Sequence, residues 1–282
     1  YFGYTMIQLM EKINLQNPDE INIPDAIMIR PKLVAVFDNI KDTINIMTSV
    51  YPNKNIKAEE ALEISEEYIN QAIKKLNKDI PLNLFNLAKN DKNIKFQSNY
   101  TKKEYCNIIE KAKTYIKNGD IFQVVPSQRF TSEYHLNALA LYRSLRRLNP
   151  SPFLVNLNFD TFSLVASSPE ILVRLRNNKI TIRPIAGTRK RGMNINEDLE
   201  LSQELLNDQK ELAEHLMLLD LGRNDVGRVS KIGSVEITEK MLIEYYSHVM
   251  HIVSNVEGRI DDKFDAVDGL ISGFPAGTVS GA

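Results

Sequence analysis

Seven consecutive residues combine groups that suit the binding of a carboxylate. The segment runs Arg183-Pro-Ile-Ala-Gly-Thr-Arg189, so a threonine hydroxyl and two guanidinium groups surround a glycine. Proline fixes the backbone on entry, and glycine permits a positive φ or a close approach. Exposed backbone N–H groups and charge-assisted hydrogen bonds both favour anions. The segment indicates a carboxylate clamp, and a strand end followed by a basic turn is the alternative.

Two acids in the segment Lys210-Glu-Leu-Ala-Glu-His215 have the spacing of a cation site. Glu211 and Glu214 are three residues apart, so on a helix they share one face. Two convergent carboxylates can hold Mg²⁺, a hard cation that takes oxygen ligands and keeps several waters. A solvated face of an amphipathic helix is the commoner origin of such a pair.

Three further residues could act on protons or bind a ligand. His251, on a predicted strand, could polarise or protonate a substrate group near neutral pH, or be a hydrogen-bonded core residue. Because His248 lies three positions away, the two imidazoles face opposite sides unless a bulge intervenes. Glu170 follows Ser-Ser-Pro at a strand end, as a site carboxylate or an edge charge. The Gln123 amide, on an apolar strand face, needs a core or ligand partner.

Two glycine-containing segments could support such a site. Residues 219–228 hold Arg223, Asn224 and Asp225 between two glycines, which predicts a helix end with a hydrogen-bonded turn that supports the acids. Residues 273–282 contain three glycines and Thr278. If a helix follows, its N-terminus would bind an anion.

The elements that must position these residues are predicted by periodicity and end signals. Asn177-Asn178 lies between two apolar runs and predicts a hairpin, so the sheet is antiparallel there. Antiparallel strands mixed with long helices predict an α+β fold with helices on the sheet faces. Strands are expected at 33–37, 44–50, 120–125, 153–159, 171–175, 180–183 and 248–257, and helices at 58–76, 101–118, 136–148, 197–220 and 265–271.

Composition limits the classes of partner and compartment. The chain has 282 residues with 35 Lys and Arg against 36 Asp and Glu, which argues against nucleic acid or a membrane surface held by bulk charge. The single cysteine, Cys106, excludes an internal disulfide framework. No apolar run reaches the about 18 residues of a membrane span, and no signal peptide is recognised. A reducing cytoplasm is expected.

In combination, these segments resemble the chorismate-utilising enzymes, and within that family the large subunits of anthranilate synthase. Six segments in the expected order carry the resemblance, over about the C-terminal two-thirds of the chain: 119–129, 166–170, 183–189, 211–228, 248–258 and 274–282. The resemblance implies two antiparallel sheets sandwiched between helices. It also implies Mg²⁺-dependent conversion of chorismate and ammonia to anthranilate and pyruvate, with ammonia from a separate glutamine amidotransferase subunit.

The resemblance also implies roles for individual residues. Glu214 is expected to bind Mg²⁺, with Glu211 as a neighbouring acid near the metal. His251 is expected to assist loss of the 4-hydroxyl or of pyruvate, and Glu170 to be the general acid at that hydroxyl. The residues expected to line the substrate are Gln123, Ala186, Gly187, Thr188, Thr278 and Gly281.

Two positions separate the branches of the family. Aminodeoxychorismate synthases carry a nucleophilic Lys where Ala186 stands, so direct attack by ammonia at C2 is expected here. Isochorismate and salicylate synthases carry a water-activating Lys where Gln123 stands, and Gln is not a base. The alternatives left open are an aminodeoxychorismate synthase and a non-catalytic module that binds chorismate or an amidotransferase.

The sequence also suggests one incomplete domain. Residues 1–282 are predicted to form a single chorismate-binding domain, truncated at both ends, with 77–99 as a surface connection. The resemblance places a second metal carboxylate beyond Ala282 and a tryptophan feedback segment before Tyr1. We therefore expect a fragment that turns over chorismate poorly by itself.

Overall fold

The computed structural model describes residues 1–14, 17–51, 55–80 and 94–280. The chain divides into two compact units, one formed by Tyr1–Gly3 with Pro24–Asp91 and the other by Tyr4–Ile23 with Lys92–Ala282. Each unit is described by itself, and the single domain expected over 1–282 stays a prediction. No helix among the described residues is both long enough and apolar enough to cross a membrane.

The first unit contains a hairpin and a helix. Strands β1 (Leu33–Asp38) and β2 (Thr43–Thr48) pair antiparallel, as expected from their apolar runs. The Asp38 carboxylate closes the turn by accepting from the backbone N–H groups of Ile40 and Lys41, both at 3.0 Å. Helix α1 (Ala58–Leu76) has the predicted limits, with acids in its first turn and lysines in its last, which suits the helix dipole.

The second unit holds the remaining strands and helices. It begins with a 3₁₀ helix, Tyr4–Leu9. Its strands are β3 (Gln97–Ser98), β4 (Phe130–Thr131), β5 (Phe153–Asn158), β6 (Ser163–Ser168), β7 (Arg174–Arg176), β8 (Lys179–Ile182), β9 (Ile185–Lys190), β10 (Glu236–Tyr245) and β11 (Val249–Arg259). Its helices are α2 (Lys102–Asn118), α3 (Ala138–Leu148), α4 (Ile195–Asn207), α5 (Gln209–Val229), α6 (Ala266–Ser272) and α7 (Gly277–Ser280).

An antiparallel five-stranded sheet is the centre of this unit. Its strands run in the order β10-β11-β8-β7, and β9 also pairs with β11. The pairs β3–β4 and β5–β6 form two further two-stranded sheets within the described residues. The mixture of antiparallel sheets and helices confirms the α+β class.

Helices α4 and α5 cover the sheet and bury its core. Ile180, Leu219 and Val256 are at most 1% exposed and pack in one cluster. Leu205, Met250 and Ile252, fully buried, form a second cluster between α4 and β11. Gly222 lets α5 approach the sheet closely, because a Cβ there would lie 3.3 Å from Ile182 Cγ2.

Capping and turn residues in the sequence correctly predicted where several helices and the hairpin end. Helix α2 has the predicted capping box between Thr101 and Glu104, and it ends at Gly119 with φ 78°. Asn177 and Asn178 have φ of 52° and 59° in the hairpin between β7 and β8. Positive φ at both central residues is the requirement of a tight hairpin turn, and asparagine tolerates it.

Three predictions of secondary structure were wrong, and the strand expected at 171–175 is confined to Arg174–Arg176. Residues 120–125 do not form a strand. The backbone N–H of Val125 donates a hydrogen bond to Ser280 O, which belongs to a helix and not to a neighbouring β-strand. The helix expected at 197–220 is two helices, because Asp208 is extended, with φ −75° and ψ 107°. Helix α5 then continues to Val229, so Gly222 and Gly227 lie inside a helix and not around a turn.

The predicted connection at 77–99 falls only partly on described residues. Residues 81–93 lie outside them. At the far end, Gln97 and Ser98 are paired with Thr131 and Phe130 in a short antiparallel ladder. That end of the segment is therefore part of a small sheet.

Candidate active site

A bulge in β9 brings together three of the predicted site residues. His251 is paired with Thr188, whereas the next residue of β11, Ile252, is paired with Ala186, so Gly187 has no opposite partner. Gly187 adopts φ 80°, which glycine permits without strain. His251 Nδ1 lies 3.0 Å from Thr188 Oγ1 and 3.1 Å from Gly187 O. The bulge thus holds the imidazole against β9.

These contacts favour one form of the His251 ring. A carbonyl oxygen can only accept, so the bond to Gly187 O requires the hydrogen on Nδ1. In the neutral ring with this tautomer, Nε2 carries the lone pair and is the atom that can take up a proton. His248 is turned elsewhere, with Nε2 3.2 Å from Leu148 O, which agrees with the expectation that the two imidazoles face opposite sides.

Glu170 is a partly buried carboxyl just beyond β6. Burial raises its pKa from 4.5 to about 7, against the lowering effect of hydrogen bonds from the Ile185 backbone and the Thr278 side chain. A pKa near 7 leaves the group partly protonated at neutral pH, as a general acid requires. This environment favours the site carboxylate over a solvated edge charge, and it places Thr278 at the same site.

A pocket of about 550 Å³ opens beside Glu170, with Arg183, Glu244 and Tyr246 in its wall. Tyr246 donates its hydroxyl to Glu244 Oε2 at 2.8 Å, and its ring lies edge-on to the His251 ring at 5.3 Å between centroids. Burial, and then the bond to Glu244, raise the pKa of Tyr246 to about 12, so the phenol stays neutral. The sequence reasoning missed Glu244 and Tyr246, although Tyr246 lies only five residues before His251.

The two arginines of the 183–189 segment are not free to hold a substrate carboxylate, which corrects the clamp interpretation. Arg183 donates Nη1 to Glu244 Oε2 at 3.0 Å and Nη2 to Glu239 at 3.3 Å. Arg189 donates Nε to Glu204 at 2.9 Å and Nη2 to Asp208 at 2.8 Å. Both guanidinium groups therefore bind acids of the chain.

Glu211 and Glu214 lie on the first turns of α5. The Asp208 side chain caps this helix by accepting from Lys210 N at 3.0 Å and Glu211 N at 3.3 Å. Glu211 Oε1 lies 3.5 Å from Arg189 Nη1. Glu214 Oε1 lies 3.5 Å from Gln123 Nε2. Because no arginine contacts Glu214 in the described structure, it is the more available carboxylate.

The donor set fits a magnesium ion that keeps most of its waters. No cluster of three or more acids, histidines or cysteines able to hold a metal occurs among the described residues. Mg²⁺ does not require such a cluster, since it is commonly bound by one or two carboxylates with water and substrate oxygens. Glu214 and Glu211 are two carboxylates on one helix face that could hold the ion in this way.

Gln123 and Ala186 have contrasting surroundings. Gln123 reaches Glu214 with its Nε2, while its Oε1 is buried with no hydrogen-bond partner in the described part of the chain. Its predicted strand was wrong, but its amide does contact a predicted metal ligand. Ala186 is 9% exposed and pairs with Ile252, so its methyl group lies in the core side of β9. Gly281 lies outside the described residues.

Arg223, Asn224 and Asp225 do not support the acids, which corrects the role expected for them. Arg223 pairs with Asp220 at 3.0 Å, and Asp225 lies 3.7 Å from Arg228. Eleven residues of helix separate Asp225 from Glu214, which is about 16 Å at 1.5 Å per residue. Asp225 is nevertheless unusual, because burial raises its pKa to about 6.

Strand β9 is the element around which the site is arranged. Its Ile185 backbone bonds Glu170, its Gly187 and Thr188 hold His251, and its Arg189 reaches Glu211. The sequence therefore pointed to the right segment, although it did not predict that Ile185–Lys190 form a strand and its arginines do a different task. These contacts combine a partly protonated carboxyl, an imidazole and two carboxylates.

The fold and these groups define an α+β protein in which a carboxyl and an imidazole contact one strand of an antiparallel sheet, and a pair of acids lies on the helix that covers it. The chain belongs to the chorismate binding enzyme family, which matches residues 1–282. It is 51% identical over 282 residues to anthranilate synthase component 1 of Cereibacter sphaeroides and 46% identical over 283 residues to that of Aquifex aeolicus. Both alignments cover 100% of this chain, but 56% and 57% of the relatives.

A solved structure agrees with this assignment. The crystal structure of anthranilate synthase component I from Streptococcus pneumoniae is similar with a TM-score of 0.88 and 37% identity. The alignment covers 100% of this chain and 61% of that one. The chain thus spans a little over half the length of the relatives that it matches.

Proposed function

We propose that this chain carries the large-subunit activity of anthranilate synthase, in tryptophan biosynthesis. The reaction converts chorismate and ammonia to anthranilate, pyruvate and water. The observation that carries the proposal is the arrangement on β9, where Glu170, His251 and Glu211 each contact one short strand. The similarity to component 1 of anthranilate synthase along the whole chain supports it.

Glu170 is the proposed general acid. Loss of the 4-hydroxyl of chorismate requires a proton, and a carboxyl with a pKa of about 7 carries one in a large fraction of molecules at neutral pH. Thr278 orients this carboxyl through its side chain. His251, with the lone pair on Nε2, is the proposed group that takes up a proton as the ring becomes aromatic and pyruvate leaves.

Glu214 and Glu211 are the proposed ligands of Mg²⁺. The bound ion would neutralise the ring carboxylate of chorismate and hold it in place. Gly187 and Thr188 line that end of the proposed site, and the unpartnered Gln123 Oε1 lies beside Glu214 as a further polar contact. Thr278 and Gly281 are the proposed contacts in the final segment.

Ammonia is the proposed nucleophile. Ala186 offers no amine that could attack the ring, and the Gln123 amide cannot activate water. We propose that ammonia adds directly at C2, delivered from glutamine by an amidotransferase subunit. The setting proposed for the assembly is the cytoplasm.

The experiment follows anthranilate fluorescence in the native protein that contains this chain, supplied with chorismate, ammonium and Mg²⁺. We expect anthranilate, and we expect Glu214→Gln to lower its formation at least about 100-fold, as loss of a metal carboxylate should. The control is Glu200→Gln, a change of the same kind at an exposed position of α4. Aminodeoxychorismate as the product, or full activity in Glu214→Gln, would overturn the proposal.

A further inference from the structure

One fully buried polar side chain has no part in the proposed chemistry. His215 is 0% exposed and directly follows Glu214 on α5. A buried polar ring is costly unless it is hydrogen-bonded, which directs attention to its partners.

The main partner of His215 is Ser254, which is also 0% exposed and lies on β11. His215 Nε2 and Ser254 Oγ are 2.7 Å apart. Ser254 Oγ accepts the backbone N–H of Met241 at 2.9 Å. Because that bond uses a lone pair of the hydroxyl, its proton is available for His215 Nε2.

The Ser254 hydroxyl therefore joins three elements. Met241 lies where the pairing of β10 with β11 is irregular, and it has φ 54°. The hydroxyl satisfies the N–H group that this irregularity leaves without a ladder partner. On the other side, the His215 ring meets the backbone of Ala186, in a contact outside regular hydrogen-bond geometry. Ala186 directly precedes the bulge at Gly187.

These contacts connect the two halves of the site. The start of α5 meets the sheet through Arg189 of β9, which contacts Asp208 and Glu211. Beyond that contact, the turn that carries Glu214 meets the sheet through apolar packing, which has little directional preference. A hydrogen bond fixes both distance and angle. The His215 ring is attached one residue after Glu214, so its bond to Ser254 sets the rotation of this turn relative to Gly187 and Thr188.

We infer that His215, held by Ser254, is a positioning residue that sets the geometry of the divalent-cation site on Glu214 and Glu211. The inference rests on the proposed function, because it requires that these acids bind the cation. Outer hydrogen-bond partners of a metal site are worth about 10- to 100-fold in affinity. We expect their loss to act on cation binding first.

The test measures Mn²⁺ affinity in the native protein from the electron paramagnetic resonance signal of the free ion. We expect Ser254→Ala and His215→Ala to weaken Mn²⁺ binding about tenfold or more. His215→Gln, whose amide oxygen can accept the Ser254 hydroxyl proton in the place of Nε2, should restore affinity to within about threefold of wild type. The matched control is Ser202→Ala, a buried hydroxyl on α4 that donates to Leu199 O in its own helix.

The outcomes separate the inference from the proposed function. Wild-type protein that fails to bind Mn²⁺ overturns the metal part of the proposed function, and the inference with it. Wild-type protein that binds Mn²⁺ while Ser254→Ala behaves like Ser202→Ala overturns the inference alone. If His215→Ala does not fold, Ser254→Ala still decides. Equal losses in His215→Gln and His215→Ala would mean that bulk, not the hydrogen bond, matters at this position, which also overturns the inference.

Discussion

Among single residues, Glu170 has surroundings that depart most clearly from those of an ordinary surface acid. Its pKa rises to about 7 because burial outweighs hydrogen bonds from Ile185 and Thr278. The acid form is complete well below pH 7 and is lost as the pH rises through 7. A general acid of this kind should therefore impose a decline of activity on the alkaline side.

We predict that Glu170→Gln lowers kcat for anthranilate formation by about 10²- to 10⁴-fold and removes the decline near pH 7. The pH–rate profile with saturating chorismate measures both effects. Glu133→Gln, at a side chain that is 91% exposed, is the control and should keep the wild-type profile. A Glu170→Gln profile that still declines near pH 7 would assign the titration to another group.

Asp225 leads to a prediction about the stability of the protein and not about its activity. Its pKa is raised from 3.8 to about 6, since burial outweighs Arg228 at 3.7 Å. The native state binds this proton more tightly than the unfolded state does. The associated stability is therefore present below about pH 3.8 and is lost as the pH rises through 6.

We predict that Asp225→Asn stabilises the protein at pH 8 by about 1–2 kcal/mol, with little change near pH 4, because each pKa unit corresponds to about 1.4 kcal/mol. Urea unfolding at both pH values measures this. Asp220→Asn, on the same helix but 61% exposed, should change stability little at either pH. Destabilisation by Asp225→Asn at pH 8 would show that the Arg228 pairing outweighs burial.

At the level of secondary-structure elements, the bulge in β9 matters both for the packing of the fold and for the geometry of the candidate site. Gly187 is its residue of positive φ, and a Cβ there would lie 3.1 Å from Ile252 Cδ1 and 3.3 Å from Leu205 Cδ1. Gly119 at the end of α2 also has positive φ, but a Cβ there would have nothing within 4 Å. Replacing Gly119 therefore tests the cost of positive φ alone, whereas replacing Gly187 tests the cost of positive φ together with crowding.

We predict that Gly187→Ala costs about 2–3 kcal/mol of unfolding free energy, and Gly119→Ala about 1 kcal/mol. Gly187→Ala should also lower kcat, since it moves the carbonyl and hydroxyl that hold His251, whereas Gly119→Ala should leave kcat unchanged. Chemical denaturation and steady-state kinetics on the same samples test this pair. Equal costs at both positions would show that the core absorbs the added methyl group.

At the scale of the whole molecule, the proposed function depends on where the nitrogen atom of anthranilate comes from. The site described above contains the groups proposed for acid–base chemistry and cation binding, but Ala186 and Gln123 supply no nucleophile. If ammonia is the nucleophile, it must arrive from outside this chain. Activity should therefore depend on how nitrogen is supplied.

We predict that the native protein containing this chain uses ammonium directly, and uses glutamine only after an amidotransferase subunit is added. Activity with ammonium should rise with pH until loss of the Glu170 proton opposes it, because the free base of ammonia is the nucleophile. Anthranilate fluorescence with each nitrogen source, with and without the second subunit, measures this. Efficient use of glutamine by the single protein would contradict the prediction.

Much of the framework could be predicted from local sequence. Capping residues located α2, the Asn177-Asn178 pair located the hairpin, and the three-residue spacing of Glu211 and Glu214 placed both on one face of α5. These features depend on contacts between residues close in the chain. The order of the family segments likewise indicated the family before any contact was known.

Tertiary structure alone decided what the charged and polar groups of the site do. Arg183 pairs with Glu244, 61 residues away, and His215 with Ser254, 39 residues away. The failed strand at 120–125 has the same origin, since a strand exists only where a neighbour offers a ladder. Local pattern is set by backbone geometry, but the partner of a guanidinium, a hydroxyl or an imidazole is set by which distant segments the buried core brings together.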